Sequence, residues 1–188
     1  MLTRDRLQES FWPAARHLDW LPDETVYSLA SRHHRLSGNL QHRRTAQQLF
    51  GHARGGYPHD LPAGLDYLSV ALDRRIGTGS EIALEHTVLP VLLAFGDDAD
   101  RADALAAMRS PQLGALKSRL GLPASGFGAT SLLKACPSCM AFDEGLHGTA
   151  YWHLVHQLPG STPILRTLSL SPILGQRSVH VEAQALHL

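Results

Sequence analysis

The chain has 188 residues, enough for one compact domain or two small ones whose hydrophobic core needs no disulfide bridges. Its 17 Lys and Arg residues balance 17 Asp and Glu residues. The balance excludes binding to nucleic acid through global positive charge, so any DNA contact must come from a local basic patch. The amino-terminal segment lacks a signal-peptide pattern, and no segment approaches the roughly 18 apolar residues of a membrane helix. We therefore expect a cytoplasmic protein with no membrane partner.

Two helices joined by a tight turn are predicted near the start of the chain. The first has Asp23 as its N-cap and stops at Gly38, and the second covers the segment QHRRTAQQLFG. Apolar residues recur at steps of three and four, as on one helix face. The pair therefore indicates a helix-turn-helix-like unit. The inward face of the first helix is predicted to hold Val26, Leu29, Ala30, His33 and Leu36, and that of the second Ala46, Leu49 and Phe50.

Further helices are predicted after a loop rich in Gly and Pro, over residues 63–75, 80–86 and 97–108 and in the segment PQLGALKSRLG. Pro90 interrupts the apolar run VLPVLLAF between them. The fold class is therefore mainly α, with a helical amino-terminal domain over residues 1–125. A boundary is expected near residues 122–131, then a small module over 131–160 and a tail, 161–188, to which no structure is assigned. Packing in the first of these helices is expected from Leu65, Leu68, Val70 and Leu72.

Basic residues cluster around the turn between the first two helices. A helix-turn-helix directs the start of its second helix to DNA and uses arginines on phosphates, so this patch is the predicted DNA contact. The alternative is a solvated helix face whose arginines interact with the carboxyl end of the first helix. The predicted DNA-binding residues are Arg32, Arg35, His42, Arg43 and Arg44, with His34 beside them.

The segment Cys136-Pro-Ser-Cys139 has the spacing of a zinc knuckle, in which two thiolates share one tetrahedral Zn(II). It supplies half of a site, and the same pattern also fits a redox dithiol or two unrelated buried cysteines. Histidine is the next most common zinc ligand, so further ligands would come from this class. The candidates are His147, His153 and His156, with His180 and His187 further along.

Catalytic motifs are absent from the sequence. There is no Walker-type phosphate loop, no G-x-S-x-G elbow and no H-E-x-x-H helix. The acidic residues of the segment starting at Asp97 could suggest a metal nuclease, but they begin a predicted helix, where acids favour the positive end of the dipole. We therefore predict a protein that is not an enzyme and has no catalytic residue.

Three passages together resemble the TniQ/TnsD family of bacterial transposon target-selection proteins. They are LPDETVYSLASRHHRLSGN with the following RRTAQQLFG, EHTVLPVLLAF with the later RLGLPAS, and ACPSCMAFDEGLHGTAYWHLVHQLPG. The resemblance implies a DNA-associated adaptor that marks the insertion site and recruits the transposon's AAA+ ATPase, alongside other transposition proteins or a guide-RNA complex. It also implies a zinc finger with Cys136 and Cys139 as ligands of Zn(2+).

The chain departs from the family pattern after His-Gln-Leu-Pro-Gly. The pattern continues with a Cys-x-x-His pair, whereas Ile164 and Thr167 stand near those places here, and neither is a good substitute ligand. The zinc module is therefore incomplete at the place where the family pattern has its second pair of ligands. Three explanations compete: another histidine completes the site, packing has replaced zinc, or the tail is out of register with the ancestral coding sequence. We favour the third.

Two other classes of function compete with a transposition adaptor. A zinc-bearing DNA-binding transcriptional regulator would share the helix pair and the knuckle but would need no ATPase. An enzyme with a redox or catalytic thiol at Cys136 is the other alternative.

Overall fold

The computed structural model describes residues 18–53, 60–94, 96–121 and 133–158, and the backbone of 165–167. These residues form nine helices and one two-stranded sheet, which confirms the mainly helical prediction. In chain order the helices are α1 (Val26–Ser37), α2 (His42–Phe50), α3 (Leu65–Ala71), α4 (Gly79–Glu85), α5 (Leu89–Leu92), α6 (Asp98–Arg109), α7 (Leu116–Arg119), α8 (Pro137–His147) and α9 (Leu154–Gln157); the strands are β1 (Leu133–Ala135) and β2 (Leu165–Thr167).

Helices α1 and α2 form the predicted pair. Gly38 ends α1 with φ 66°, a left-handed conformation that glycine adopts without steric cost, so the chain can turn at once into α2. The predicted N-cap is wrong, because the Thr25 hydroxyl accepts the Ser28 amide at 3.2 Å and caps α1 instead. The inward position of Leu36 is also wrong: it lies in the last turn of α1, beside the exposed Gly38, and is 57% exposed.

A single apolar core joins α1 and α2 to the helices that follow. Helix α3 packs against α2, α4 and α6, with Leu65, Leu68 and Leu72 buried as predicted. Val70, by contrast, is 59% exposed, because it lies on the opposite side of this short helix from Leu68 and Leu72. The helix also ends earlier than predicted, since left-handed residues follow Leu72 and a helix cannot continue through them.

The next helices begin with side-chain caps. Thr78 and Glu81 form a reciprocal capping box at the start of α4, in which each side chain bonds the other residue's backbone amide. Asp97 caps α6 by accepting the Asp100 amide at 2.8 Å. The interpretation of this acidic segment as a helix start is confirmed. Pro90 lies in the first turn of the one-turn helix α5, where its missing N–H costs no hydrogen bond.

The carboxy-terminal part of the described chain consists of β1, α8, α9 and β2. The two strands are antiparallel, with Ala135 opposite Leu165 and Leu133 opposite Thr167. Strand β2 falls within the tail to which the sequence assigned no structure; the rest of that tail lies outside the described residues, as do His180, His187 and the whole of the expected boundary at 122–131. Among the described residues, no helix is both long and apolar enough to cross a membrane.

Candidate functional site

The turn before α1 forms a joint with the segment that leads into α9, so the first and third motif passages meet in space. Glu24 and His153 form an antiparallel bridge. The Thr25 amide donates to the Trp152 carbonyl at 3.0 Å, and the Leu154 amide donates to the Asp23 carbonyl at 2.7 Å. The carboxy-terminal module is therefore attached to the helical domain through backbone hydrogen bonds.

Side chains add to this joint. The Asp23 carboxylate accepts the Val155 amide at 3.0 Å, so this residue caps α9 across the joint and not the helix that follows it in sequence. The Tyr151 hydroxyl donates to the Pro22 carbonyl at 2.9 Å, and the Trp152 amide donates to the Ser28 hydroxyl at 3.1 Å. Burial raises the pKa of Tyr151 to about 12, so its hydroxyl remains a donor at neutral pH.

A buried ion pair between Arg32 and Glu24 stabilises the joint. Arg32 donates from Nε to Glu24 Oε1 at 2.7 Å and from Nη2 to Oε2 at 2.6 Å, while the Ser28 hydroxyl donates to Oε1 at 2.7 Å. The Glu24 side chain has no exposed surface and that of Arg32 is 13% exposed. Arg32 also donates to the Asp19 carbonyl at 2.8 Å. Its guanidinium is thus directed into the protein, which gives it a structural role that the sequence did not reveal.

The other residues of the predicted basic patch lie at or near the surface. Arg43 and Arg44 are exposed in the first turn of α2, and neither forms an ion pair with a carboxylate in the described part of the chain. Arg35 is exposed at the end of α1 and donates to the Thr149 hydroxyl at 2.8 Å, while His42 is half-buried. Arg43 and Arg44 are therefore exposed on α2, whereas the Arg32 guanidinium is held by Glu24.

A polar network fixes the turn between α1 and α2. The Thr45 hydroxyl lies 2.7 Å from His34 Nδ1 and accepts the Asn39 amide group at 2.9 Å; Asn39 also donates to Gln48 Oε1 at 2.7 Å. Burial, with a smaller contribution from His42, lowers the pKa of His34. No sequence signal pointed to Thr45, because the role of a buried hydroxyl on the inward face of a helix depends on hydrogen-bond partners that only the structure shows.

The two cysteines lie at the junction of β1 and α8. Cys136 is the N-cap of α8 and Cys139 lies in its first turn, both half-exposed. Each of the two side chains contributes to the shift in the pKa of the other, so the thiols interact across the turn. The backbone amide of Cys139 donates towards the Cys136 sulfur and lowers the pKa of that thiol, whereas burial raises the pKa of the Cys139 thiol. The arrangement brings both sulfurs to one side of a tight turn.

The candidate histidine ligands are engaged in other contacts. His153 Nε2 lies 2.8 Å from Asp143 Oδ2, and its Nδ1 lies 3.6 Å from Asp23 Oδ2, so both ring nitrogens face carboxylates. His147 packs edge-on against Tyr151 with ring centroids 5.8 Å apart. The ring centroid of His156 lies 5.0 Å from that of His153, and burial lowers the pKa of His156.

The donors described so far fit half of a zinc site. Structural zinc needs four ligands, and the described residues contain no group of three or more His, Cys, Asp or Glu side chains that could hold a metal. Ile164 lies outside the described residues, and Thr167 is described by its backbone alone. Zinc binding by Cys136 and Cys139 thus stays a prediction that rests on two thiols.

Strand β1 is held to α9 by a buried side-chain amide. Gln157 Oε1 accepts the Lys134 amide at 3.0 Å, and its Nε2 donates to the Lys134 carbonyl at 2.8 Å and to the His153 carbonyl at 2.9 Å. The Lys134 ammonium donates to the Leu158 carbonyl at 3.1 Å. The amide of Gln157 therefore takes the place of a neighbouring strand along this edge of β1.

Comparison with known proteins places these features in one family of sequences. The TniQ family profile matches residues 15–163, a range that contains both the basic helix pair and the cysteine module. The transposon Tn7 transposition protein TnsD of Escherichia coli is 25% identical over 141 residues, which are 73% of this chain and 27% of that protein. The chain thus spans about a quarter of the length of this relative.

Proposed function

Because this chain belongs to the TniQ family, we propose that it takes part in selecting the target site of a transposon by binding DNA through the start of α2. The family membership supports the process, since the named relative is a transposition protein. The observation that carries the DNA contact is the pair Arg43 and Arg44, exposed in the first turn of a helix that follows a tight turn.

The geometry of the helix pair supports this surface. The second helix of such a pair lies in the major groove, and arginines at its start bind phosphates. Arg43 and Arg44 keep their side chains in solvent, where they are available to phosphates. Arg35 lies on the adjoining end of α1 and extends the patch. Arg32 is left out of the proposed contact because its guanidinium is held by Glu24.

A salt titration with matched charge variants tests the contact. We expect Arg43→Ala and Arg44→Ala each to weaken binding to a fluorescent duplex of mixed sequence. Each lost phosphate contact should make the negative slope of log affinity against log salt shallower by about 0.9 between about 50 and 200 mM salt, and the double variant should make it shallower by about 1.8. Arg101→Ala on α6 is the control, since it removes one exposed charge from a helix that packs against α3 and α4.

The outcomes separate a local contact from a general charge effect. An unchanged salt dependence in the double variant would show that the start of α2 does not contact DNA. An equal loss with Arg101→Ala would show that net charge, and not this patch, drives association.

The adaptor role is the second part of the proposal. A protein that only marks a site must pass it to the transposition machinery, so we propose that the DNA-bound chain recruits the transposon's AAA+ ATPase. The test is retention of the ATPase on immobilised DNA in the presence of this chain. Retention should be lost with the Arg43→Ala, Arg44→Ala double variant and kept with Arg101→Ala. Retention of the ATPase that does not depend on this chain would contradict the proposed recruitment but not the proposed DNA contact.

A further inference from the structure

We infer that the DNA surface of the helix pair continues onto the carboxy-terminal module, where Thr149 positions Arg35 for a backbone phosphate of DNA. The inference rests on the proposed DNA contact at the start of α2 and deepens it, because it gives the module a part in DNA binding. The observation that carries it is the hydrogen bond from Arg35 Nη2 to the Thr149 hydroxyl oxygen at 2.8 Å, which joins residues 114 positions apart.

The charge of Arg35 is available to a phosphate. Arg35 lies in the last turn of α1, just before the turn that leads into α2, and its side chain is exposed. None of the ion pairs within the described ranges involves Arg35. Elsewhere on the surface, Arg75, Arg109 and Arg119 each pair with an aspartate. Its bonded partner is thus a neutral hydroxyl, which leaves the positive charge for a phosphate.

A hydroxyl partner orients the guanidinium without cancelling its charge. The planar guanidinium carries five N–H donors, and the Thr149 hydroxyl accepts from Nη2, so the group can still offer a fork of N–H groups to phosphate oxygens. A long side chain loses rotamer freedom when it binds, and a bond that fixes it beforehand lowers this cost. Thr149 therefore acts on DNA binding as a positioning residue, through Arg35.

Thr149 is held in place by its neighbours on both sides. Gly148 ends α8 with φ 69°, a left-handed conformation that lets the chain turn away from the helix directly before Thr149. After it, the Tyr151 hydroxyl and the Trp152 amide form the hydrogen bonds of the joint with the turn before α1 and with α1 itself. The joint therefore fixes the Thr149 hydroxyl beside α1, where it can orient Arg35.

The experiment is a double-mutant cycle with the full chain and a fluorescent duplex of mixed sequence. Arg35→Ala should weaken binding and make the negative slope of log affinity against log salt shallower by about 0.9. Thr149→Val removes only the hydroxyl and should weaken binding by at least about twofold, as expected for one hydrogen bond. Thr149→Ser keeps the hydroxyl and should lose less than about twofold. In the Arg35→Ala background, Thr149→Val should cost less than about twofold, because its effect passes through Arg35.

The Arg43→Ala, Arg44→Ala double variant, measured in the same titration, separates two kinds of failure. If it keeps the salt dependence of the wild type, the proposed DNA contact at α2 fails. If it behaves as expected, three results would overturn this inference alone. They are a loss below about twofold in Thr149→Val, an equal loss in Thr149→Ser, and a loss above about twofold from Thr149→Val in the Arg35→Ala background. A weaker Arg35→Ala with an unchanged slope would also overturn it, since the bond would then only hold the module in place.

Discussion

Replacing Arg32 with methionine should destabilise the protein by about 3 kcal/mol. The substitution keeps much of the aliphatic volume but leaves the Glu24 carboxylate, which has no exposed surface, with only the Ser28 hydroxyl and the Leu21 amide as partners. Breaking a buried ion pair by removing one partner costs about 3–5 kcal/mol, and the slight exposure of Arg32 favours the lower end. For a chain of this size the melting temperature should fall by about 6–12 °C.

Urea unfolding at neutral pH measures this effect, and a second substitution tests its cause. Adding Glu24→Gln to Arg32→Met removes the stranded charge, so the double variant should regain about 2 kcal/mol relative to Arg32→Met alone. A loss below about 1 kcal/mol for Arg32→Met would refute the structural role of the ion pair. So would a double variant less stable than the single one, since the penalty would then not come from the buried charge.

Two further perturbations test the helix pair and the joint. Burial, with a smaller effect of His34, lowers the pKa of His33 from 6.5 to about 4. Between these two pH values the unfolded chain binds a proton at His33 that the folded protein does not bind. The contribution of His33 to the free energy of unfolding is therefore complete above pH 6.5 and decreases as the pH falls towards 4. Urea unfolding at pH 7.5 and pH 5 should differ by about 2 kcal/mol from this residue, at about 1.36 kcal/mol for each of 1.5 pH units, and His33→Gln should lack that difference; an equal pH dependence in the variant would contradict the assignment. At the joint, Asp23→Ala should cost about 1 kcal/mol by removing the cap on Val155, and Asp23→Gly should cost less, because φ is 58° here and glycine relieves the left-handed strain; an alanine variant as stable as wild type would exclude the capping role.

Local periodicity and turn chemistry predicted the helix pair well. Gly38 stops α1, and Leu29, Leu49 and Phe50 are buried as their spacing indicated, since a helix fixes which residues share a face. The same spacing failed for Leu36, because periodicity says which residues share a face but not how far the neighbouring helix extends along it. It failed in α3 at Val70, which lies on the opposite side of this helix from Leu68 and Leu72.

The sequence by itself determined the mainly helical class, the helix pair, the basic cluster and the cysteine spacing, because each follows from residues close together along the chain. Only the tertiary structure decided how those residues divide their roles. The Arg32 guanidinium is held inside the protein because it pairs with the buried carboxylate of Glu24, whereas the side chains of Arg43 and Arg44 are exposed to solvent. Asp23 caps a helix more than a hundred residues away, and His153 is held by Asp143 and faces Asp23. These partners are far apart in sequence, so no local pattern could pair them.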